Sequence, residues 1–348
     1  MKATRPKRVL LLHTGGTLGM PPRDGDARAR PGPLAPDRYA RNLIEQVPEL
    51  LQIATVETRI LCNLDSSDIG PDEWVALADE IAAARAHHDG IVIAHGTDTM
   101  AYTASALSFA LRGLDRPVIL TGSQRPLGEV RSDARRNLID AVDLATRDLP
   151  EVGVCFDGHL LRGNRATKGD AWSYAAFASP GCAPLARLGL DVEIAPHVRR
   201  DNGTFCCVAQ FDPRVAALSV TPGFDPLLLG RMLDAGPRGL VLSAFGVGNV
   251  PSRVRPIAPV VRAAVDAGVT VLVITQARYG SVDLGLYENG AVLADAGARS
   301  GGDMGLEAAT VKLMHALALH PNDAAARAAL LAADLAGERG NASVHARD

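Results

Sequence analysis

Short, unbroken apolar runs alternate along this chain with longer stretches whose apolar residues recur at helical spacing. The run Arg8–Leu12 opens onto His13-Thr-Gly-Gly-Thr17, Gly90–Ala94 onto His95-Gly-Thr-Asp-Thr-Met100, and Pro117–Thr121 onto Gly-Ser-Gln-Arg-Pro126. Runs of this length bounded by glycine turns predict buried strands. Between them, Trp74, Leu77, Ala78 and Ile81 repeat with helical period after Pro71, with Ser67 or Asp68 able to cap. Thr99–Arg112 and Ser132–Arg147 read as two more helices, the second carrying Leu138, Ile139, Val142 and Ala145 on one face, and Val152–Phe156 as the next strand.

Strand and helix alternating in this order predict an α/β fold with a doubly wound, mostly parallel sheet, covered on both faces and joined by right-handed crossovers. The last third repeats the theme on a smaller scale: strand Gly239–Ala244, helix Ile257–Ala267, strand Val269–Thr275, and helices Met304–Leu319 and Asn322–Leu335. Periodicity is poor over Asp191–Asp225. The expected organisation is an N-terminal catalytic domain over 1–200, a linker over 201–215, a smaller C-terminal α/β domain over 216–338, and a tail over 339–348. Met20–Pro36, rich in proline and charge, directly follows the Thr17 turn and reads as a lid over whatever site those turns form.

Three turns bearing hydroxyls and glycines, each at the end of a strand, predict one shared cleft. A threonine hydroxyl needs a proton acceptor before it attacks a carbonyl, and the oxyanion that follows needs donors. Gly15 and Gly16 beside Thr17, and Gly96 beside Thr97, leave backbone N–H groups accessible for that purpose. The dinucleotide fingerprint is not met, because Gly15, Gly16 and Gly19 lack its order. Read from spacing alone, Ser66 and Ser67 are helix caps, Lys168 is a solvated loop cation, and His87 and His88 end a helix whose dipole they complement. Thr121, Ser123 and Arg125 read as supports of the cleft.

Composition narrows the ligand class. With 348 residues, 22% charged and a formal net charge of -3, the chain carries no basic face of the kind that nucleic acid or an anionic membrane requires. A small polar or zwitterionic ligand fits better. No apolar run reaches the length of a bilayer span, and the N-terminus lacks the apolar core of a signal peptide. The five cysteines form neither a metal-like spacing nor a complete disulfide set, and His13 and His95 have no carboxylate at ligand spacing. The expectation is a reduced, cytoplasmic protein with neither metal nor organic cofactor.

Taken together, His13–Thr17, His95–Met100, Thr121–Pro126 and Gly163-Asn-Arg-Ala-Thr-Lys168 resemble the signature segments of the bacterial L-asparaginase family, in order and spacing. The likeness continues through Asp65-Ser-Ser-Asp68, Gly246-Val-Gly-Asn249 and Gly301-Gly-Asp-Met304, and is closest to the cytoplasmic type I branch. It implies amide hydrolysis through an acyl-threonine intermediate. Thr17 then matches the nucleophile, and Thr97, Asp98 and Lys168 the second threonine, acid and lysine group. Ser66 and Ser67 match the segment holding the substrate's α-carboxylate, and Asp98 also the holder of its α-ammonium. Asn249 matches a residue that reaches the site from a neighbouring subunit, so the resemblance implies a homodimer or homotetramer with shared sites. Because a carboxylate beside an amine favours the charged ammonium, Thr97, Lys168 and Asp98 read as a coupled relay, not as a simple lysine base.

One departure stands out. The family carries a tyrosine in the loop after the first threonine turn, and this chain has none between Thr17 and Arg38, with Tyr39 just beyond. Asp283 and Glu288 are candidates for the acid that some relatives supply from a second subunit. Two other readings accompany asparagine hydrolysis. One is the ammonia-producing subunit of a tRNA-dependent amidotransferase, which usually carries an extra N-terminal domain. The other is an asparagine-binding protein with impaired catalysis.

Overall fold

The computed structural model describes residues 5–16, 43–200 and 203–340. Thr17, the expected lid Met20–Pro36 and Tyr39 lie outside the described residues. The chain forms two compact units, one containing the described residues up to 179 and 183–209, the other 180–182 and those from 210 onward.

The first unit is built on β1 (Arg8–Gly15), β2 (Thr55–Leu64), α1 (Pro71–Ala84), β3 (Gly90–Ala94), α2 (Met100–Ala110), β4 (Val118–Thr121), α3 (Ala134–Ala145), β5 (Val152–Phe156), β6 (His159–Arg162), β7 (Ala186–Leu188) and β8 (Val192–Ile194). Its eight-stranded sheet runs β8-β7-β6-β5-β4-β3-β1-β2. The strands from β2 through β5 are parallel. Side chains alternate across a strand, so each buried run serves two cores. Val9, Leu11, Val92, Ala94 and Ile119 pack with Leu138, Ala141, Val142 and Ala145 of α3 on one face. Leu10, Leu12, Ile91 and Ile93 are equally buried and point to the other.

The predicted strands and helices of this unit are present, their ends moved by at most three residues, and the parallel-rich α/β class holds. Two features escaped the periodicity. Thr55–Leu64 is an edge strand whose half-buried Glu57 and exposed Arg59 pair with each other, so it lacks a buried run. Beyond β5 the chain turns back: β6, β7 and β8 add to the sheet as antiparallel strands, too short and too polar to register as apolar runs.

One local expectation needs correction. Neither Ser67 nor Asp68 caps α1. Gly70 occupies the cap position, and its N–H donates to the Glu73 carboxylate at 2.9 Å. Ser66–Asp68 is instead a separate 3-10 turn capped by Asp65, whose Oδ1 accepts the Ser67 N–H at 2.9 Å and the Ser67 hydroxyl at 2.7 Å. His88, past the end of α1, is buried with its ring nitrogens each 3.0 Å from the Ala84 carbonyl and a Glu57 carboxylate oxygen.

The second unit has its own four-stranded parallel sheet in the order β9 (Val215–Ser219), β10 (Gly239–Ala244), β11 (Thr270–Thr275), β12 (Arg299–Ser300). Helices α4 (Pro226–Asp234), α5 (Ala258–Asp266), α6 (Glu288–Asp295), α7 (Leu306–Leu319) and α8 (Ala324–Ala332) complete it. Leu240, Leu242, Val261, Val271, Val273 and Leu293 form its core. Strand Val215–Ser219 lies inside the stretch where periodicity had suggested a connection; only two of its five residues are hydrophobic beyond alanine, which hides it. No helix among the described residues is long and apolar enough to cross a membrane.

Candidate active site

The carboxyl ends of β1, β2, β3 and β4 meet in turns, and at Gly15, Gly16 and Gly96 the approach leaves no room for a side chain. Gly15 and Gly16 have φ of 116° and 85°, in the left-handed region, where a side chain is strained. A Cβ on Gly16 would stand 2.5 Å from Gly96 Cα, and one on Gly96 2.7 Å from the Ser66 side chain. Thus Gly16, Gly96 and Ser66, remote in sequence, are in close contact. The Thr99 hydroxyl adds a hydrogen bond to the Ser66 carbonyl.

On this platform Thr97 is 9% exposed, whereas the Asp98 side chain is 67% exposed. Lys168 comes to them from a short hairpin in which Thr167–Lys168 pairs antiparallel with Phe177–Ala178. Phe177 anchors that hairpin by packing on Phe156 at the end of β5, with ring centroids 5.0 Å apart. The Lys168 ammonium then donates to Thr97 Oγ1 at 2.8 Å and to Asp98 Oδ1 at 2.6 Å. Its side chain is only 18% exposed, so it is not the solvated loop cation that spacing suggested.

Of the residues singled out from sequence, Gly16, Ser66, Gly96, Thr97, Asp98 and Lys168 therefore assemble at one end of one sheet. Ser67 adjoins Ser66 but is exposed, with its hydroxyl turned to Asp65. Thr17 follows Gly16 and is outside the described residues. Asn249 belongs to the second unit, on the turn after β10, where Phe245 and Asn249 exchange backbone hydrogen bonds of 2.9 and 2.8 Å. Its Oδ1 is buried with no hydrogen-bond partner among the described residues, and it lines an open groove with Ser252, Tyr287, Glu288 and Asn289. Glu288 shares this groove with Asn249, whereas Asp283 is not among its lining residues.

The turn residues 122–125 supply a group that sequence reasoning missed. Both carboxylate oxygens of Asp133 accept the Gln124 N–H, at 3.1 and 3.0 Å, and Asn137 Nδ2 donates to the Gly122 carbonyl at 3.0 Å. So held, Gln124 presents its Oε1 to the Thr97 hydroxyl at 3.3 Å, while its Nε2 donates to the carbonyls of Ala171 at 3.2 Å and Ser173 at 3.0 Å. No periodicity or spacing marks a glutamine that acts across such distances in sequence. Thr121 is a support, its hydroxyl donating to the Cys155 carbonyl at 2.9 Å. The Arg125 guanidinium instead faces Glu129 at 3.3 Å on its own loop.

The two histidines beside the turns are buried and uncharged. Burial pushes each ring from 6.5 to about 4, an effect that hydrogen bonds the ring makes to the Asn63 side chain at His13 and to the Gly96 carbonyl at His95 only partly oppose. His95 Nδ1 lies 2.7 Å from the Gly96 carbonyl and must carry its proton there, which leaves Nε2 to accept from the Thr103 hydroxyl at 2.9 Å. Thr103 in turn accepts from the Trp74 indole at 3.1 Å. His95 thus braces the turn from behind.

A hydroxyl, an ammonium and an exposed carboxylate on a glycine-lined platform suit attack on a carbonyl in a substrate with a charged end. Comparison with known proteins agrees in both halves of the chain. The family described as Asparaginase, N-terminal matches residues 8–200, and the Glutaminase/Asparaginase C-terminal domain matches residues 214–330. The chain is 36% identical over 317 residues to L-asparaginase 1 of Escherichia coli (strain K12), spanning 89% of this chain and 92% of that one. It is 36% identical over 340 residues to L-asparaginase of Thermococcus kodakarensis, spanning 95% of this chain and 98% of that one. The solved structure of the thermostable L-asparaginase from Thermococcus kodakarensis superposes with a TM-score of 0.86 at 36% identity, covering 96% and 99% of the two chains.

Proposed function

This chain belongs to the asparaginase family, and from that premise we propose that it hydrolyses L-asparagine to L-aspartate and ammonia through an acyl-threonine intermediate. The observation that carries this reading is the contact of Lys168 Nζ with both Thr97 Oγ1 and Asp98 Oδ1, at 2.8 and 2.6 Å, beside the Gly16–Gly96 platform.

Thr17 is the nucleophile. Its oxygen attacks the side-chain carbonyl carbon, the C–N bond breaks, and the amide nitrogen takes up a proton and leaves as ammonia. Water then cleaves the resulting ester and returns the Thr17 hydroxyl. Backbone N–H groups at Gly16 and Gly96 face the oxyanion of both steps. The Thr97–Lys168–Asp98 relay moves the protons, with the lysine N–H on Thr97 Oγ1 stabilising negative charge there. Asp98, being exposed, also receives the substrate's α-ammonium, while Ser66 and Ser67 receive its α-carboxylate. A second copy of the chain supplies Asn249 from its C-terminal unit, which makes the active form a homodimer or homotetramer. The unpartnered Oδ1 of Asn249 supports this role, because a buried acceptor without a donor is costly until one arrives.

The test is ammonia release from L-asparagine by the purified protein, together with capture of the acyl group by hydroxylamine as the aspartyl hydroxamate. Thr17→Val abolishes both. Absence of ammonia from asparagine, glutamine and related amides would overturn the proposal.

A further inference from the structure

The Thr97 hydroxyl has one hydrogen to give and two neighbours, Lys168, which as an ammonium can only donate to it, and Gln124. Both N–H groups of the Gln124 amide are committed to the carbonyls of Ala171 and Ser173, at 3.2 and 3.0 Å. Carbonyls only accept, so the amide nitrogen must face them and Oε1 must face Thr97. Oε1 is also only an acceptor, so the Thr97 hydrogen points to Gln124 at 3.3 Å. Lys168 Nζ, on the other side, donates to Thr97 Oγ1 at 2.8 Å. In this arrangement the proton that the relay must move is directed away from the lysine.

We infer that Gln124 is a positioning residue which parks the Thr97 proton and couples it to the arch 169–176. This deepens the proposed function and rests on it. The acceptor it presents is a carboxamide oxygen, the same group that an asparagine substrate brings, so the free enzyme holds a stand-in for its substrate on Thr97. The contact with Thr97 is a single hydrogen bond, whereas two hold the amide nitrogen to the arch. Once it opens, the Thr97 hydrogen is free for an acceptor on the substrate, while the Lys168 ammonium continues to donate to Thr97 Oγ1. The arch is itself well tied, which gives the latch a firm base. Gly169 and Asp170 N–H groups donate to the Ala176 carbonyl, Asp170 Oδ1 accepts from the Trp172 and Ser173 N–H groups, and the Tyr174 hydroxyl binds the Arg131 carbonyl.

Two variants of near-equal volume separate latch from packing. Gln124→Glu keeps a stronger acceptor for the Thr97 hydrogen but cannot donate to Ala171 and Ser173 while ionised. Its kcat should fall about tenfold or more at pH 8, and the deficit relative to wild type should shrink as pH drops and the glutamic acid regains a proton, a neutral form that again accepts on one oxygen and donates from the other. Gln124→Leu removes the competing acceptor and the arch anchors together: kcat stays within about twofold of wild type or rises, and KM increases several-fold. Amide hydrogen exchange adds a readout that needs no turnover, with faster exchange over 169–176 in both variants. If wild type releases no ammonia, the proposed function fails, yet the exchange result still judges the arch coupling. Equal kcat losses in the two variants with KM unchanged, or a Gln124→Glu deficit independent of pH, would overturn the inference, as would unchanged exchange over the arch.

Discussion

Each unit of this protein holds a lysine against a carboxylate, and the two pairs could hardly differ more in surroundings. Lys168 and Asp98 meet at the carboxyl end of the first sheet's strands, where Asp98 is 67% exposed and a threonine hydroxyl completes the contact. Lys312 and Glu338, in the second unit, are 0% exposed on both sides. There Lys312 Nζ also donates to the carbonyls of Leu331 and Ala333, and the Glu338 carboxylate accepts from the N–H groups of Leu335 and Ala336. Every donor of that ammonium is used. A saturated, dry pair ties the end of α8 to α7 and has no capacity left for chemistry. An open pair that includes a hydroxyl keeps its capacity and contributes little to stability.

The largest expected effect comes from breaking the open pair. Lys168→Met should lower kcat by about 10²–10⁴-fold, the usual range for a group that moves a proton in the transition state, and leave the urea midpoint nearly unchanged, since Asp98 stays solvated. A stability loss with activity per folded molecule intact would assign Lys168 to structure. The mirror experiment on the closed pair should give the opposite profile. Lys312→Met leaves the Glu338 charge buried without its partner and should cost about 3–5 kcal/mol in chemical denaturation. The double variant Lys312→Met with Glu338→Gln should recover much of that, because glutamine still accepts the Leu335 and Ala336 N–H groups without a charge. Failure to recover would mean that the ionic contact itself holds the unit together.

Acid should separate the regions next. His13 and His95, both in the first unit, ionise near 4 when folded and near 6.5 when unfolded, because burial disfavours the charged ring. The unfolded chain therefore binds more protons in that window. Their contribution is complete above pH 6.5 and lost progressively as pH falls to 4, reaching about 3 kcal/mol per histidine. The two tryptophans, Trp74 and Trp172, both lie in the first unit, so their fluorescence follows it selectively during urea unfolding at each pH. A midpoint that does not move between pH 7 and 4.5 would contradict this. The smallest effect belongs to Asp65→Ala, which removes the cap of the Ser66–Asp68 turn and should cost about 1 kcal/mol, with a modest rise in KM as Ser66 and Ser67 lose their fixed geometry. Calorimetry beside steady-state kinetics would detect both.

Much of this was legible before any coordinates. Val9–Leu12, Ile91–Ala94 and Val118–Leu120 announce themselves because a strand buried on both faces leaves no room for a polar residue, and the glycines after them mark where backbones must approach or adopt positive φ. Those are local constraints, written in neighbouring residues. The edge strand Thr55–Leu64 and the antiparallel returns after Phe156 were hidden, since half-exposed backbone pairing places few demands on side-chain type. The capping roles of Ser67 and Asp68 were misread for a related reason, as several adjacent residues could each satisfy the same N–H groups.

The order of residues was enough to specify the parallel α/β scaffold, the cluster of turns and the family resemblance that named Thr97, Asp98 and Lys168 as a group. It took the folded chain to establish that Lys168 is shielded while Asp98 is open, that Gln124 stands within hydrogen-bond reach of Thr97, and that Lys312 is closed off. Burial and hydrogen-bond direction depend on which distant segments the fold packs together, and a linear pattern records only what each segment needs from its nearest neighbours.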